Sequence, residues 1–451
     1  MYVNYKQRGL VLVTVLWVVV LLIIMTATMA RTSRLHTKLS YYQSQSIRCQ
    51  WGARAGLETA LALLDKDIKT SDSKADIWCD NKEQLQDIAL DGCSFSVRVV
   101  DESGKLNVNT ATKEQLMALP HMTEAVADAI IDWRDKNHTP GSQGVETGYY
   151  RNLNFSYDCS NAPFKTIREL LLIKGVTEQL FYGEDINLNG KLDYNEKDGD
   201  TNWPPDNADD TLDCGWISFL TCYSYDDNTD GAGNKRVNIN TADEKTLTSK
   251  LQISAGQARW IIDNRKKKFK SVADLLDSNR KSSPGNQVNT KPKRNPARDR
   301  SPKRGSSGNQ IPPEPLTKDV FVRIVDRITV SNGKKNNARV NINTAPLEVL
   351  SALFGRSDQA RELAWSIIDK REALPMGFSS VAGLLDIEKL SMDQFKKIVD
   401  IVTVRSSVFC IYSTASSSTT GISRASQVIE AVVDRGKSPH TILYHYQGAN
   451  F

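Results

Sequence analysis

From Leu10 to Ala30 the chain runs for 21 residues without a charge, directly after Lys6, Gln7, Arg8 and Gly9. At about 1.5 Å per residue a helix of that length spans roughly 31 Å, the depth of a bilayer's hydrocarbon core. A secretory leader's apolar stretch is shorter, about 7–15 residues, so the pattern predicts a membrane anchor. The periodicity continues beyond it. No proline interrupts Arg31 to Asp65, and Leu35, Leu39 and Tyr42, then Leu57, Leu61 and Leu64, recur every three or four residues, as one stripe of an amphipathic helix does. The spacing predicts a single helix of roughly 55 residues, lipid-embedded in its first half and packed on a folded head in its second.

The head shows two other periods. Phe95, Val97 and Val99 alternate with Ser96 and Arg98, and Phe409 and Ile411 repeat that period near the carboxyl end. Val428 to Val433 and Ile442 to Tyr446 flank Asp434-Arg435-Gly436-Lys437, which predicts a hairpin. Between these strands lie three copies of one pattern. Asn107-Val108-Asn109-Thr110-Ala111, Asn238-Ile239-Asn240-Thr241-Ala242 and Asn341-Ile342-Asn343-Thr344-Ala345 are followed by Ile130-Ile131-Asp132-Trp133-Arg134, Ile261-Ile262-Asp263-Asn264-Arg265 and Ile367-Ile368-Asp369-Lys370-Arg371. Phe164, Phe269 and Phe378 close the three copies. Recurrence of ordered landmarks marks a repeated unit. The Asn-Thr-Ala element reads as a side-chain N-cap for the helix that follows it. Each unit matches a helix-hairpin-helix, or SAM-like, pattern.

Helix-hairpin-helix units grip DNA phosphates through glycine-rich hairpins, where a missing Cβ lets backbone amides approach. The hairpins here read Leu119-Pro120-His121-Met122-Thr123, Leu251-Gln252-Ile253-Ser254-Ala255 and Leu353-Phe354-Gly355-Arg356-Ser357, with no Gly-x-Gly. The net charge of +5 also misleads. Nine basic residues between Arg280 and Arg304 oppose the single acid Asp299, a net +8 that leaves −3 for the remainder. That Pro/Ser/Asn-rich stretch reads as a solvated loop. A protein-facing scaffold is therefore expected, with no nucleic acid; a membrane-tethered DNA-binding protein is the alternative.

Asp185-Ile186-Asn187-Leu188-Asn189-Gly190-Lys191-Leu192-Asp193-Tyr194-Asn195-Glu196 places oxygen donors at positions 1, 3 and 5, glycine at 6, and carboxylates at 9 and 12. This is the pattern of a twelve-residue calcium loop, with Asp185, Asn187, Asn189, the Lys191 carbonyl, Asp193 and Glu196 as expected ligands. Gly199, Pro204 and Pro205 follow, so a structural staple is expected rather than a sensor. Asp206, Asp209, Asp210 and Asp213 are weaker candidates for a second ion because their spacing is irregular. Of seven cysteines, Cys79 with Cys93 and Cys214 with Cys222 are close enough in sequence for disulfides in an oxidising compartment, though spacing does not fix connectivity,. His36, His121, His138, His440 and His445 form no metalloprotease or nucleophile motif, so no catalysis is expected,.

A short basic leader ending in glycine, an apolar helix and an amphipathic continuation resemble the type IV pilins and pseudopilins. The resemblance implies cleavage by a prepilin peptidase between Gly9 and Leu10. Most members carry glutamate at the fifth mature position, where this chain has Thr14. The K-type minor pseudopilins of type II secretion systems share that departure, and the resemblance covers nearly the whole chain. It implies an α+β pseudopilin fold, a long N-terminal helix on an antiparallel sheet, with inserted all-α helix-hairpin-helix or SAM-like domains. The expected division is a leader 1–9, a transmembrane helix 10–30 and a pseudopilin helix with first strands 31–106. A helical region 107–277 contains the calcium loop 185–196. A basic loop 278–316, a second helical domain 317–400 and C-terminal strands 401–451 complete the chain. The implied partners are the I- and J-type minor pseudopilins, the prepilin peptidase and the inner-membrane secretion platform, with the head in the periplasm. The resemblance also implies a place at the pseudopilus tip.

Overall fold

The computed structural model describes residues 7–449 apart from 186, 189, 198, 200–204, 278–311, 334–337, 418–424 and 438. The leader's first six residues and most of the expected basic loop therefore lie outside the described residues. Helix α1 runs unbroken over Gln7–Lys66, as the continuous periodicity predicts. Its membrane-length portion is exposed throughout, whereas Cys49, Ala53, Ala60 and Leu64 are fully buried.

After α1 the chain forms β1 (Ile88–Leu90) and β2 (Cys93–Asp101), and β2 alternates buried and half-buried positions along its whole length. It then leaves the sheet through three short parallel pairs: β3 (Leu106–Asn107) with β4 (Leu220–Thr221), β5 (Val237–Asn238) with β6 (Ile328–Thr329), and β7 (Val340–Asn341) with β8 (Val402–Thr403). It returns as β9 (Val408–Ser417), β10 (Ser426–Asp434) and β11 (Thr441–Ala449). The result is an antiparallel five-stranded sheet ordered β1-β2-β9-β10-β11. One face, through Phe95, Val97, Phe409, Ile411 and Ala431, packs on α1. The other, through Cys410, Tyr412 and Val432, joins the core of the inserted units.

Two glycines allow α1 to lie close on the sheet. A Cβ at Gly56 would stand 2.2 Å from Ser413 Oγ and 2.8 Å from Val97 Cγ2, and one at Gly52 would stand 2.8 Å from Cys93 Sγ. At such distances either the helix or the facing strand residues would have to shift,.

Each inserted unit opens with one strand of a parallel pair and closes with the other, so the three copies of the pattern are three units. The boundary expected at 317 falls inside the second unit, since the helix Lys318–Ile324 precedes β6. The repeated residues hold the units together in a way that revises the capping role expected for them. The N-caps of the first helices are Thr112, Asp243 and Pro346. The second asparagine of each copy instead clamps the closing phenylalanine at two points. Asn109 accepts from Phe164 N at 2.7 Å and donates to its carbonyl at 3.1 Å. Asn240 does the same to Phe269 at 2.9 and 3.0 Å, and Asn343 to Phe378 at 2.8 and 2.9 Å. The motif arginines, Arg134, Arg265 and Arg371, donate to the carbonyls of Ala111, Ala242 and Ala345. Small turns at the closing strands repeat too: Thr221, Thr329 and Thr403 each accept a backbone N–H two residues on, from Tyr223, Ser331 and Arg405. A side-chain amide that pairs both backbone groups of a remote residue supplies what a third strand would otherwise supply.

A buried polar junction joins the third unit to the sheet. Asp101, at the end of β2, accepts from Asn341 Nδ2 at 2.8 Å and from the Thr344 and Ser406 hydroxyls at 2.6 Å. Asp72 accepts from Ser406 N at 2.7 Å and from Arg435 at 2.6 Å, and Arg435 also pairs with Asp67 at 2.8 Å. Burial pushes the Asp72 carboxyl up to about 7, against the opposing pull of Arg435, and also raises Asp101. The linker after α1, the first long strand, the third unit and the final hairpin all meet here.

Candidate functional site

The anchor and the calcium-type loop carry the residues singled out from the sequence. Gly9 and Leu10 lie in the first turns of α1. At the fifth position after that bond, the Thr14 hydroxyl donates to the carbonyl of Val11 at 2.9 Å. It is spent within the helix and offers no negative charge.

The loop follows the helix Glu178–Tyr182. Asp185 is buried, and its Oδ2 accepts the Gly190 N–H at 3.0 Å. Gly190 has φ +69°, and a Cβ there would meet Arg98 Nη1 at 2.8 Å; this is the sharp turn that position 6 requires. Asn187 Nδ2 donates to Asp193 Oδ2 at 2.8 Å, while Glu196 folds inward, fully buried, and its Oε2 accepts from Asp193 N at 3.0 Å. The structure thus brings Asn187, Asp193 and Glu196 into one hydrogen-bonded chain beside the Asp185 turn. Lys191 is exposed and would contribute only its carbonyl; Asn189 lies outside the described residues. The short 3-10 turn Tyr194–Glu196 ends the loop. Two buried carboxylates with amide and carbonyl oxygens form a hard donor set that fits calcium.

The acidic run is differently built. Asp206 accepts from Ala208 N at 2.5 Å, Asp209 from Thr211 N at 2.8 Å, and Asp213 from Asn207 Nδ2 at 3.0 Å, while Asp210 pairs with Lys197. Sequence reasoning missed Glu184, which organises the run: its buried carboxylate takes the backbone N–H of Asp213 at 2.8 Å and of Asn207 at 3.4 Å. Burial raises its carboxyl above the usual range.

Asp67, Asp72 and Asp76 bring carboxylate oxygens within 4.8 Å of one another, and Arg435 supplies the cation there. Neither expected disulfide is formed. Cys79 is exposed, while Cys93 turns its thiol to the carbonyls of Leu90 and Arg48 at 3.0 and 3.6 Å. Cys214 and Cys222 are also free thiols. The three hairpins turn through corresponding residues with positive φ: His121 at +57°, Gln252 at +57° and Gly355 at +105°.

A membrane-length helix whose second half packs on an antiparallel sheet defines a pilin-like subunit, here enlarged by helical units inserted between β2 and β9. Residues 99–182 and 340–402 match the models of type II secretion system protein K. Those matches support a type II secretion protein K, a minor pseudopilin of type II secretion. It is 25% identical over 297 residues to type II secretion system protein K of Pseudomonas aeruginosa, across 60% of this chain and 76% of that one. A segment of 190 residues, 41% of the chain, is 30% identical to endonuclease/exonuclease/phosphatase family domain-containing protein 1 of Mus musculus, but covers only 26% of that protein. Among solved structures it is similar to the GspK-GspI-GspJ complex of the enterotoxigenic Escherichia coli type 2 secretion system, at TM-score 0.45 and 13% identity over 92% of this chain and 99% of that one.

Proposed function

We propose that this chain is the tip subunit of the periplasmic pseudopilus and helps to initiate its assembly for protein export across the outer membrane. The observation that carries this reading is Thr14. A buried subunit of a pilus-like filament gains from a carboxylate that neutralises the amino terminus of its neighbour, and half of such a pair is costly in lipid. Thr14 is neutral and spent on its own helix, which suits a subunit with nothing packed above it. The head carries three inserted units on the sheet face opposite α1, a bulk that belongs at an end. Its role is structural rather than catalytic. Its partners in this reading are the I- and J-type minor pseudopilins and the inner-membrane platform, with one span in the inner membrane and the head in the periplasm. The prepilin peptidase cuts between Gly9 and Leu10. Mass spectrometry of the chain from cells with and without that peptidase tests the reading. The expected product begins at Leu10 only when the peptidase is present; an intact leader in its presence overturns the assignment.

Calcium in the 185–196 loop is a structural part of this proposal. With three formal negative charges the expected dissociation constant is on the order of 10⁻⁵ to 10⁻³ M. At a concentration of about 100 times that constant, linkage stabilises the folded head by about 2.7 kcal/mol. Thermal unfolding with calcium and with a chelator should therefore differ by roughly 5–10 °C, at about 2–4 °C per kcal/mol. Glu196→Gln should abolish most of that difference; a wild-type chain indifferent to the chelator removes calcium from the account.

A further inference from the structure

We propose that Arg31, Arg34 and Lys38 form a cationic ridge that docks, together with Leu35, Leu39 and Tyr42, on a carboxylate-bearing helix of a partner subunit. The inference deepens the pseudopilus reading and rests on it. At about 100° per residue the three cations fall within roughly 60° of one another around α1, and the three apolar residues fill the adjoining sector. The same two sectors, followed up the helix, contain Cys49, Ala53, Ala60 and Leu64, all fully buried against the sheet. The sheet-facing side of α1 thus continues below the head, and among the described residues nothing from this chain covers it. Leu35, Leu39 and Tyr42 are 58%, 54% and 43% exposed there.

Charge decides the occupant. α1 has no acid between Leu10 and Leu57, while it carries Arg31, Arg34, Lys38, Arg48 and Arg54. Arg48 donates to the Asp91 carbonyl and Arg54 lies over Trp51. Among the described residues the structure gives Arg31, Arg34 and Lys38 no ion pair. Lipid phosphates do not account for the whole stripe. The headgroup layer extends about 5–8 Å past the hydrocarbon core, whereas Lys38, Leu39 and Tyr42 stand about 12–18 Å beyond Ala30. Apolar residues at that height need protein cover, and the adjacent cations select acids at i, i+3 and i+7 on the covering helix.

The test uses the full chain, purified from membranes with its co-expressed partner pseudopilins. Replacing the ridge (Arg31→Glu, Arg34→Glu and Lys38→Glu together) should lower the recovered partner at least 10-fold at low salt. Reversal of the facing carboxylates to lysine on the partner should restore it. Recovery of the wild-type complex should also fall with added salt, as exposed charge pairs require. An unchanged recovery overturns the ridge while leaving the pseudopilus reading standing. A loss that follows the removal of anionic lipid, with the ridge intact, assigns the ridge to the bilayer and also overturns it. If the wild-type chain recovers no partner at all, both readings fall. Cleavage at Gly9 and the unfolding temperature should not change, which separates docking from misfolding.

Discussion

Methionine in place of Arg435 is expected to destabilise the head by about 3–5 kcal/mol, because removing one member of a buried ion pair strands the other. The guanidinium is almost wholly buried, pairs with Asp67 and Asp72, donates to the Ser406 carbonyl at 3.1 Å and lies 4.7 Å from the centre of the Phe409 ring. The loss should depend on pH. The folded chain holds the proton of Asp72 up to about 7, well above the usual carboxylate value near 3.9. The unfolded state therefore releases that proton first, and the Asp72 contribution to stability falls as pH rises from about 4 to 7. Without Arg435 the proton is held still higher, so the deficit should be larger at pH 8 than at pH 5. Urea unfolding of both proteins at the two values measures it. A deficit below about 1 kcal/mol, or the same at both, would mean that the cation does not hold the junction together.

Asn343→Ala should cost about 2–6 kcal/mol, since it leaves both the N–H and the carbonyl of Phe378 buried without their partner, at about 1–3 kcal/mol for each. The three repeats supply an internal control. Asn343 is buried at 2% exposure, whereas Asn109 and Asn240 are half-buried. Water can replace part of the lost bonding at those two sites, so Asn109→Ala and Asn240→Ala should each cost less. Thermal unfolding of the three variants ranks them. Equal losses, or Asn343 the mildest, would show that burial does not govern the clamp.

What was legible in the sequence was whatever repeats locally. The stripe through Leu57, Leu61 and Leu64 specified α1, the alternation of Phe95, Val97 and Val99 specified β2, and Asp434-Arg435-Gly436-Lys437 marked the final hairpin. The three copies were visible because their landmarks recur in order. Their closing strands were not, because two-residue segments such as Leu220–Thr221 carry no period. A signal was present all the same: Thr221, Thr329 and Thr403 each follow an apolar residue and precede Ser224, Ser331 and Ser406, which the first asparagines reach. The asparagines themselves were misjudged, since capping is a rule about neighbours and their partners lie 29–55 residues away. For the loop, the spacing located Asp185, Asn187, Asp193 and Glu196 on one turn, but not Glu184, whose partners are 23 and 29 residues downstream. The junction of Asp72, Asp101, Asn341 and Arg435 has no sequence signature, because it exists only once four remote segments have met.

The pairing of β2 with β9 has a kinetic consequence. It joins residues about 300 positions apart, and closing so long an excursion is slow. The inserted units lie wholly between the two strands, so any order gained within them first shortens the effective distance that remains to be closed. The sheet is therefore expected to close after the inserted units. Until it does, β2 and the sheet side of α1 stay open beside the bilayer, and a mutation in any inserted unit delays maturation of a surface it never touches.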